Sequence, residues 1–509
     1  MYSIFSDKEW LFDDSKSDKK NINLVCAGNS FACFQMIIEA DEAEISVNGD
    51  IDFEIFKLVP TCVNRNSVFL ETLDYKRTPL EELPKYHTRK APFNVYDAMI
   101  PLNGNKVSNE SRLYLYFKGK TSDAGTKCGN ISIKLNGETL EIPYSVKVLD
   151  VKVPDERTFN MINWVSFNCN KYGCERFDEK FWQVVRKTIA LTEISRQNYV
   201  NVTLTFITRN SDGIFDFSNL KKYIDICFSH KYTKIEGPAL SGVYTKFFAD
   251  ENPDIPFYDD RCIEKVIPFL KAWYNFLKEN NWLDITVQHV FDEPRDKNKK
   301  FYDNLAKTVR EYMPGIKLLD AILTLNVEEG PDILIPTTRF YQLHRDHFEK
   351  MRRDGKQLWS YTCCWPSAPY LNRFLDMPLL SVRLIHWLNF YTDCPGYLHW
   401  ALCFFKDGVD QFKTPSITLQ IFDDTPTSYM PPGDSNITYE YEGEPVGSVR
   451  LEMQRAGVED FELLCMIKDK TQALSLTSQC IYEDFTGIKD ISAFEKIYET
   501  LLEKAKNAR

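Results

Sequence analysis

Two neighbouring carboxylates stand at the end of a largely apolar segment, Val287–Pro294, which reads VQHVFDEP. Cleavage of a glycosidic bond needs one carboxylic acid to protonate the leaving oxygen and a second group to stabilise the cationic anomeric carbon. Asp292 and Glu293 could supply both groups. The alternative is structural, because Asp-Glu-Pro is also typical of the first turn of a helix, where acidic side chains are favourable.

Their adjacency limits the chemistry of Asp292 and Glu293. Neighbouring residues on a regular strand point to opposite faces, so both can face one pocket only where the strand ends or bulges. Even then, two neighbouring carboxyl groups are poorly placed for one to attack a sugar from one side while the other protonates the leaving oxygen from the opposite side. A substrate whose own 2-acetamido group is the nucleophile eases this difficulty. A neutral sugar would instead need a protein nucleophile, for which Glu329 and Asp296 are generic candidates.

A second group of candidates, Tyr361, Trp365, Asn372 and Arg373, lies further along the chain. Trp365 precedes a proline and could be a platform for the face of a sugar, or a core aromatic. Asn372 and Arg373 could hydrogen-bond to sugar hydroxyls, or cap a helix. We expect these four residues to contact the substrate.

A third group of candidates comprises His386, Trp387, Tyr397, His399 and Trp400. Successive side chains of a strand alternate between its two faces. A regular strand would therefore send either Trp400 or His399 into a pocket, but not both. His386 lies on a predicted helix and is compatible with a structural role as well as with substrate binding.

Other classes of chemistry lack a supporting motif. The sequence has no HExxH, no GxSxG and no Gly-rich phosphate loop. His344 and His347 have no further His or Cys near them, and the 14 cysteines show no metal-ligand spacing. We expect neither a metal nor a cofactor.

Charge and hydropathy restrict the partners. The net charge is −11 and no basic run stands out, which argues against nucleic acid and against an anionic membrane surface. No apolar stretch approaches the length of a membrane-spanning helix. The N-terminus lacks the pattern of a secretory signal, and the cysteines fit reduced thiols, so we expect a cytoplasmic protein.

The elements that must position these residues fall into two predicted domains, 1–150 and 151–509, because 509 residues are too many for one core. In the first domain, alternating hydrophobicity and turn signals predict an all-β sandwich. Its predicted strands are Asn21–Val25, Cys33–Ile38, Ile45–Val47, Phe53–Phe56, Leu113–Phe117, Ile131–Leu135 and Ile142–Val148.

The second domain alternates strands with helices, which predicts a (β/α)8 TIM-type barrel. The predicted strands are Phe159–Val165, Tyr199–Phe206, Lys234–Leu240, Asp284–Phe291, Lys317–Leu323, Asp332–Pro336, Leu358–Cys363 and Gly396–Leu402. The predicted helices are 178–196, 217–230, 258–281, 298–312, 341–353, 371–391 and 447–469. No helix is predicted after the fifth strand, and a long loop insert lies near 403–446.

The barrel would bring Asp292 and Glu293 to the carboxyl ends of its strands, where the active sites of such barrels lie. The last helix carries the charged residues Arg450, Glu452, Arg455, Glu459 and Asp460. These predict a solvated or salt-bridged face that buttresses the barrel. An interaction surface is the alternative.

Taken in order, these motifs resemble glycoside hydrolase family 123 and the related domain of unknown function 4091, over nearly the whole chain. The matching segments are ACFQ at 32–35, FDEP at 291–294, WSYTCC at 359–364, NRFLD at 372–376, RLIHW at 383–387, GYLHW at 396–400, GD at 433–434, SVRLE at 448–452 and RAGVEDFE at 455–462.

The resemblance implies a retaining, exo-acting β-N-acetylgalactosaminidase with substrate-assisted catalysis. Asp292 would stabilise the acetamido group and an oxazolinium-like intermediate, and Glu293 would be the general acid and then the general base. Burial and the charge of Asp292 would have to raise the pKa of Glu293. The missing secretory signal departs from secreted glycan-degrading relatives and suggests a short imported oligosaccharide as the substrate. The alternatives are a glycosidase for another sugar and an inactive carbohydrate-binding or scaffold protein, against which the presence of both acids speaks.

Overall fold

The computed structural model describes residues 1–40, 42–67, 88–102, 106–108, 111–135, 137–255, 257–327, 330–419 and 428–506. The protein is a mixed α/β, multidomain chain with a large N-terminal sheet. Its strands are β1 (Tyr2–Ser6), β2 (Ile22–Gly28), β3 (Ser30–Ile38), β4 (Glu42–Gly49), β5 (Phe53–Val63), β6 (Phe93–Pro101), β7 (Lys106–Ser108), β8 (Leu113–Thr121), β9 (Gly125–Leu135), β10 (Glu138–Lys152), β11 (Asn160–Asn163), β12 (Tyr199–Asn201), β13 (Thr208–Arg209), β14 (Phe215–Asp216), β15 (Lys234–Gly237), β16 (Thr286–His289), β17 (Lys317–Ile322), β18 (Ile333–Pro336), β19 (Gln357–Leu358), β20 (Ser360–Tyr361), β21 (Gly396–His399), β22 (Thr418–Leu419), β23 (Ser428–Tyr429), β24 (Tyr439–Tyr441) and β25 (Glu444–Ser448).

The α-helices are α1 (Cys169–Tyr172), α2 (Glu179–Ile194), α3 (Ser218–Ser229), α4 (Leu240–Phe247), α5 (Arg261–Glu279), α6 (Lys299–Tyr312), α7 (Thr338–Leu343), α8 (Arg345–Arg353), α9 (Leu380–Tyr391), α10 (Val449–Met466), α11 (Lys470–Thr477) and α12 (Ile491–Lys506). Among the described residues, no helix combines the length and the apolar character needed to cross a membrane.

The N-terminal part contains a seven-stranded sheet, in the order β1-β3-β8-β5-β6-β25-β24, and a five-stranded sheet, in the order β2-β10-β9-β4-β7. Side chains alternate along β3, so that Phe34 and Met36 join a hydrophobic cluster with residues of both sheets. Cys33 and Ile37 join a second cluster on the other face, with residues of α9 and α10. The seven-stranded sheet is therefore covered on both faces, and its packing on the five-stranded sheet agrees with the predicted sandwich.

Two late strands complete the seven-stranded sheet. β25 pairs antiparallel with β6, with Gly447 opposite Met99 and Ser448 opposite Ala98, and β24 follows at the edge. These strands lie beyond the predicted boundary at residue 150. The division into 1–150 and 151–509 stays a prediction.

The second part contains two parallel sheets, in the orders β12-β15-β16-β17-β18-β19 and β11-β21-β20. Each of the eight predicted strands contains observed strand residues. The sheets adjoin because β19 and β20 are separated only by Trp359, and because Thr337 after β18 forms a bridge with Tyr361. Complete closure into a barrel stays a prediction.

The helices differ from the predicted pattern in several places, and α1 and α4 form where no helix is predicted. The predicted helix 371–391 begins only at Leu380, so its first nine residues were predicted wrongly. Pro378 stands just before this helix, and a proline disfavours the helical conformation of the residue that precedes it. The chain also forms α11 and α12 after the last predicted helix. As expected, no helix follows the fifth parallel strand, β17, among the described residues before β18.

The charged face of α10 is buried and salt-bridged, as predicted, but two of its pairs are with the N-terminal sheet and not with the predicted barrel. Arg450 Nε lies 2.8 Å from Asp97 Oδ2 on β6, and both side chains are fully buried. Glu452 Oε1 lies 2.6 Å from Lys118 Nζ on β8. Arg383 of α9 pairs with Asp460 at 2.6 Å. These pairs join α10 to the N-terminal sheet and to α9.

Candidate active site

The backbone turns sharply where Asp292 and Glu293 follow β16. Their φ angles are +80° and +52°, in the left-handed region that residues other than glycine rarely adopt. The Asp292 amide donates to Asp320 Oδ1 at 3.1 Å, and the Glu293 amide donates to the Ala321 carbonyl at 3.1 Å. The regular alternation of the strand therefore ends before the two acids.

As a result, Asp292 and Glu293 line the same cavity, whose volume is about 210 Å³. Its walls are largely aromatic and apolar. The other lining residues are Trp164, Ala321, Tyr361, Cys363, Cys364, Trp365, Leu398, Trp400, Leu419 and Met430. Flat aromatic walls beside two carboxyl groups suit a ligand with both apolar faces and polar edges, which is the character of a sugar ring.

Glu293 is the more basic of the two carboxyl groups. Burial and the neighbouring charge of Asp292 raise its pKa to about 7, against the opposing effects of Tyr361 and Arg295. The Tyr361 hydroxyl donates a hydrogen bond of 2.7 Å to Glu293 Oε1. Near neutral pH, Glu293 can therefore both give and take a proton.

Asp292 is held at a lower pKa than Glu293. Although 42 % of its side chain is open to the cavity, the surrounding protein removes enough hydration to raise its pKa to about 6. His289 lowers this pKa, whereas the carboxylates of Asp320 and Glu236 raise it further. The two adjacent acids thus differ in environment, which is how proteins assign different roles to paired carboxyl groups.

Beneath Asp292 lies a buried layer formed by Glu236, His289 and Asp320, from the neighbouring strands β15, β16 and β17. His289 Nδ1 lies 3.1 Å from Glu236 Oε1, and His289 Nε2 lies 3.2 Å from Asp320 Oδ1. Among the described residues, no three His, Cys, Asp or Glu side chains are arranged to bind a metal ion.

Neither this layer nor Trp164, whose indole N–H donates to Glu236 Oε2 at 3.0 Å, is among the residues predicted from the sequence. A signal was present, because Glu236, His289 and Asp320 are ionisable residues in three consecutive predicted strands. Parallel neighbours bring such residues together when they lie at the same depth in the sheet.

Three of the predicted substrate-binding residues, Tyr361, Trp365 and Trp400, line the cavity with the two acids. Trp400 is held by a hydrogen bond of 3.1 Å from its indole N–H to Asp434 Oδ2. Leu398 lines the same wall, whereas His399 is not part of the lining. Of the two residues that the strand alternation left open, Trp400 is the one that reaches the cavity.

Asn372 and Arg373 are fully buried and do not line this cavity. Asn372 Nδ2 donates to the carbonyls of Cys363 and Pro366, both at 2.9 Å, and so supports the loop that carries Trp365. Arg373 Nη1 donates to Asn163 Oδ1 at 2.8 Å. The geometry therefore gives both residues supporting positions and does not support direct contact with a sugar.

The other four predicted residues, His386, Trp387, Tyr397 and His399, are also buried away from the cavity lining. Their partners are other protein groups. Trp387 donates to Asp460 Oδ2 at 2.7 Å, the Tyr397 hydroxyl meets Thr362 Oγ1 at 2.6 Å, His399 Nδ1 lies 2.6 Å from Arg373 Nη2, and the His386 ring packs edge-on against Phe159 and Tyr397. Contact between these four side chains and substrate is not supported.

Of the two generic alternative nucleophiles, the structure describes only Asp296. Asp296 accepts hydrogen bonds from Thr324 and, at 3.2 Å, from Asn326 Nδ2, and it does not line the cavity. Glu329 lies outside the described residues.

Comparison with known proteins gives a family and a fold. Residues 150–467 match the family described as glycoside hydrolase 123, catalytic domain. The structure is similar to that of a family 123 glycoside hydrolase from Clostridium perfringens, studied for glycolipid glycan hydrolysis. The TM-score is 0.73 at 14% sequence identity, over 100% of this chain and 97% of that chain.

A family 39 glycoside hydrolase from the gut symbiont Bacteroides cellulosilyticus WH2 is a more distant neighbour, with a TM-score of 0.38 and 10% identity over 87% of this chain and 82% of that chain. No curated protein matches the sequence. At 14% identity, the likeness to the C. perfringens enzyme shows a shared fold.

Proposed function

The chain belongs to glycoside hydrolase family 123, and from this we propose that it is a retaining, exo-acting β-N-acetylgalactosaminidase whose substrate supplies the nucleophile through its 2-acetamido group. The observation that carries the proposal is the meeting of Asp292 and Glu293 in one small aromatic cavity. Two acids on the same side of a sugar suit this mechanism better than one that needs carboxyl groups on opposite sides.

In the first step, the Asp292 carboxylate accepts a hydrogen bond from the acetamido N–H and makes the acetamido oxygen a better nucleophile. That oxygen attacks the anomeric carbon while the glycosidic C–O bond breaks. Glu293 gives its proton to the leaving oxygen. The product of this step is an oxazolinium ion, whose positive charge the Asp292 carboxylate stabilises.

In the second step, the ionised Glu293 takes a proton from water, and the oxygen of that water attacks the anomeric carbon. The oxazolinium ring opens and restores the acetamido group. Two successive inversions leave the β-configuration unchanged. The pKa of Glu293, about 7, suits a group that must act first as an acid and then as a base.

The remaining walls support the binding part of the proposal. Trp164, Trp365 and Trp400 offer faces for the apolar side of a sugar ring, and Tyr361 fixes Oε1 of Glu293 so that Oε2 can reach the leaving oxygen. The volume of about 210 Å³ is below the roughly 300–1,000 Å³ of pockets for larger ligands. A single terminal sugar therefore suits the cavity, which favours exo action.

The proposal takes the two parallel sheets as one (β/α)8 barrel with the acids at the carboxyl end of its fourth strand, β16. The bridge between Thr337 and Tyr361 supports this arrangement, because it joins the two sheets on one side. On the other side, side chains link β11 to the segment before β12. Asn198 Oδ1 accepts from the Met161 amide at 2.9 Å, and Gln197 Oε1 accepts from the Asn163 amide at 3.2 Å.

A panel of aryl β-glycosides tests the function. We expect turnover of the 2-acetamido-galactoside and none of the galactoside that lacks the acetamido group. The gluco-configured 2-acetamido sugar tests the configuration. Binding of the 2-acetamido sugars without turnover would favour the inactive binding protein, and turnover of the plain galactoside would contradict substrate assistance.

The variants Glu293→Gln and Asp292→Asn test the roles of the two acids. An aryl group that leaves readily needs little acid, so a poorer leaving group, such as an alkyl alcohol, is compared with it. Glu293→Gln should lose far more activity on the alkyl glycoside than on the aryl glycoside. Undiminished hydrolysis of the alkyl glycoside would contradict the assignment of Glu293 as the acid.

A further inference from the structure

We propose that His289 is a positioning residue whose imidazolium, held between the buried carboxylates of Glu236 and Asp320, keeps Asp292 in the ionised form that the reaction requires. This inference deepens the proposed function and rests on it. It concerns three side chains that do not line the cavity and that therefore act through residues that do, chiefly Asp292.

The distances support a charged contact. His289 Nδ1 lies 3.1 Å from Glu236 Oε1, and His289 Nε2 lies 3.2 Å from Asp320 Oδ1 and 3.8 Å from Asp292 Oδ1. The side chains of His289, Glu236 and Asp320 are almost completely buried. Opposite charges at these separations interact strongly where little water screens them.

Both flanking carboxylates are fixed by further donors. Glu236 Oε2 accepts from Trp164 Nε1 at 3.0 Å and from Asn201 Nδ2 at 3.1 Å. Asp320 Oδ2 accepts from the Tyr302 hydroxyl at 2.8 Å. These donors hold the two carboxylates on either side of the imidazole, so that the ring cannot leave its place without exposing two buried negative charges.

Nε2 of His289 is the nitrogen that faces Asp292 and Asp320. It is buried, yet it has no well-aligned hydrogen-bond partner among the described residues. Its influence on Asp292 is therefore that of a nearby charge and not that of a directed bond. A neutral side chain of similar size should remove this influence while it leaves most of the packing in place.

The pKa shifts of His289 and Asp292 agree with this arrangement. Burial alone would lower the pKa of His289, but the carboxylates of Asp320, Glu236 and Asp292 outweigh it and raise the pKa to about 9. His289 in turn lowers the pKa of Asp292, against Asp320 and Glu236, which raise it. Glu293 is the other acid next to Asp292. The charge of Arg295 lowers the pKa of Glu293.

The same layer also supports a wall of the cavity. Glu236 accepts the indole N–H of Trp164, and the Trp164 ring lies 5.4 Å from the His289 ring, centroid to centroid. A loss of Glu236 should therefore affect substrate binding through Trp164 as well as the charge of Asp292. A loss of His289 alone should act mainly on the chemical step.

The test is the pH profile of kcat/KM on the aryl 2-acetamido-galactoside for the wild type and for His289→Gln. The acid limb reports the ionisation of Asp292 in the free enzyme. Without the cation, we expect this limb to move to higher pH by about one unit, because an opposite charge within this distance lowers the pKa of a carboxyl group by about that much or more. Activity at about pH 5 should fall about tenfold, with little change in KM.

His289→Lys is the matched control, because it can restore a positive charge at the same place. We expect it to return the acid limb toward that of the wild type. A second readout does not depend on turnover. In protein with ¹³Cε1-labelled histidine, the resonance that His289→Gln removes should stay that of an imidazolium from about pH 6 to about pH 8.

The outcomes separate the two claims. Absence of turnover by the wild type would contradict the proposed function, whereas an active wild type with an unshifted acid limb in folded His289→Gln would overturn only the role of His289. A neutral imidazole at about pH 7 would overturn it as well.

If His289→Gln fails to fold, the double variant His289→Gln/Asp320→Asn removes the cation together with one anion. Its folded form should keep an acid limb near that of the wild type, and a large upward shift would refute the charge balance.

Discussion

Glu293→Gln should stabilise the protein while it lowers activity, because a carboxyl group with a raised pKa destabilises the folded state once it ionises. The pKa of Glu293 rises from 4.5 to about 7 on folding. One pKa unit corresponds to about 1.4 kcal/mol, so the full shift would be worth roughly 3 kcal/mol. Glu293 is only half-buried in the cavity, and solvent reduces this figure to about 1–2 kcal/mol.

The sign follows from the direction of the shift. A carboxyl group whose pKa is higher in the folded state loses stabilising free energy as the pH rises from the unfolded to the folded value. Glutamine does not titrate and can still accept the Tyr361 hydrogen bond. The advantage of Glu293→Gln should therefore be small near pH 4.5, grow up to about pH 7, and then stay constant.

The assay is the apparent melting temperature of the wild type and the variant between about pH 5 and about pH 8. An increase of a few degrees is expected at the upper end, where about 1–2 kcal/mol is recovered. Glu483→Gln, at an exposed position, is the matched control and should change nothing. A Glu293→Gln variant with the same melting temperature as the wild type at every pH would refute the reasoning that burial raises this pKa.

Further predictions follow from the same contacts. The kcat/KM profile should be bell-shaped, rising through about pH 6 as Asp292 ionises and falling through about pH 7 as Glu293 loses its proton; a flat profile over this range would contradict the assignment. Tyr361→Phe removes the hydrogen bond that lowers the pKa of Glu293, so the basic limb should move up by about one unit, as measured by the same profile. Arg450→Met should destabilise the protein by about 3–5 kcal/mol in thermal or urea unfolding, because it leaves the buried Asp97 without its cationic partner; a loss below about 1 kcal/mol would show that the pair is not what joins α10 to the N-terminal sheet.

Much of the α/β part could be predicted from the sequence, because its strands are short apolar runs bounded by turn residues and separated by amphipathic helices. The absence of a helix between β17 and β18 among the described residues could also be predicted, because the sequence there shows no helical pattern. By contrast, the pairing of β25 with β6 could not be predicted, because it joins residues about 350 positions apart in the chain. The burial of Asp97 could not be predicted for the same reason, since its partner Arg450 lies on α10, far along the chain.

For the site, the motif predicted Asp292 and Glu293, and two aromatic residues were predicted beside them, Trp365 after the seventh strand and Trp400 on the eighth; all four line one cavity. The left-handed backbone at the two acids could not be predicted, although it is what lets both side chains face one cavity. Polar and aromatic residues near a site can also hold other residues of the site in place without contacting the ligand. Arg373, His386 and His399 carry the right chemistry for a sugar, but their partners are other buried groups.

The central claim is that the acetamido group of the substrate is the nucleophile and that Asp292 and Glu293 only assist it. The most direct measurement is kcat/KM for aryl 2-acetamido-β-galactosides in which the acetyl group carries an increasing number of fluorine atoms. Fluorine withdraws electrons from the acetamido oxygen, so we expect a steep fall in rate with each added atom. A rate that does not depend on fluorination would contradict it.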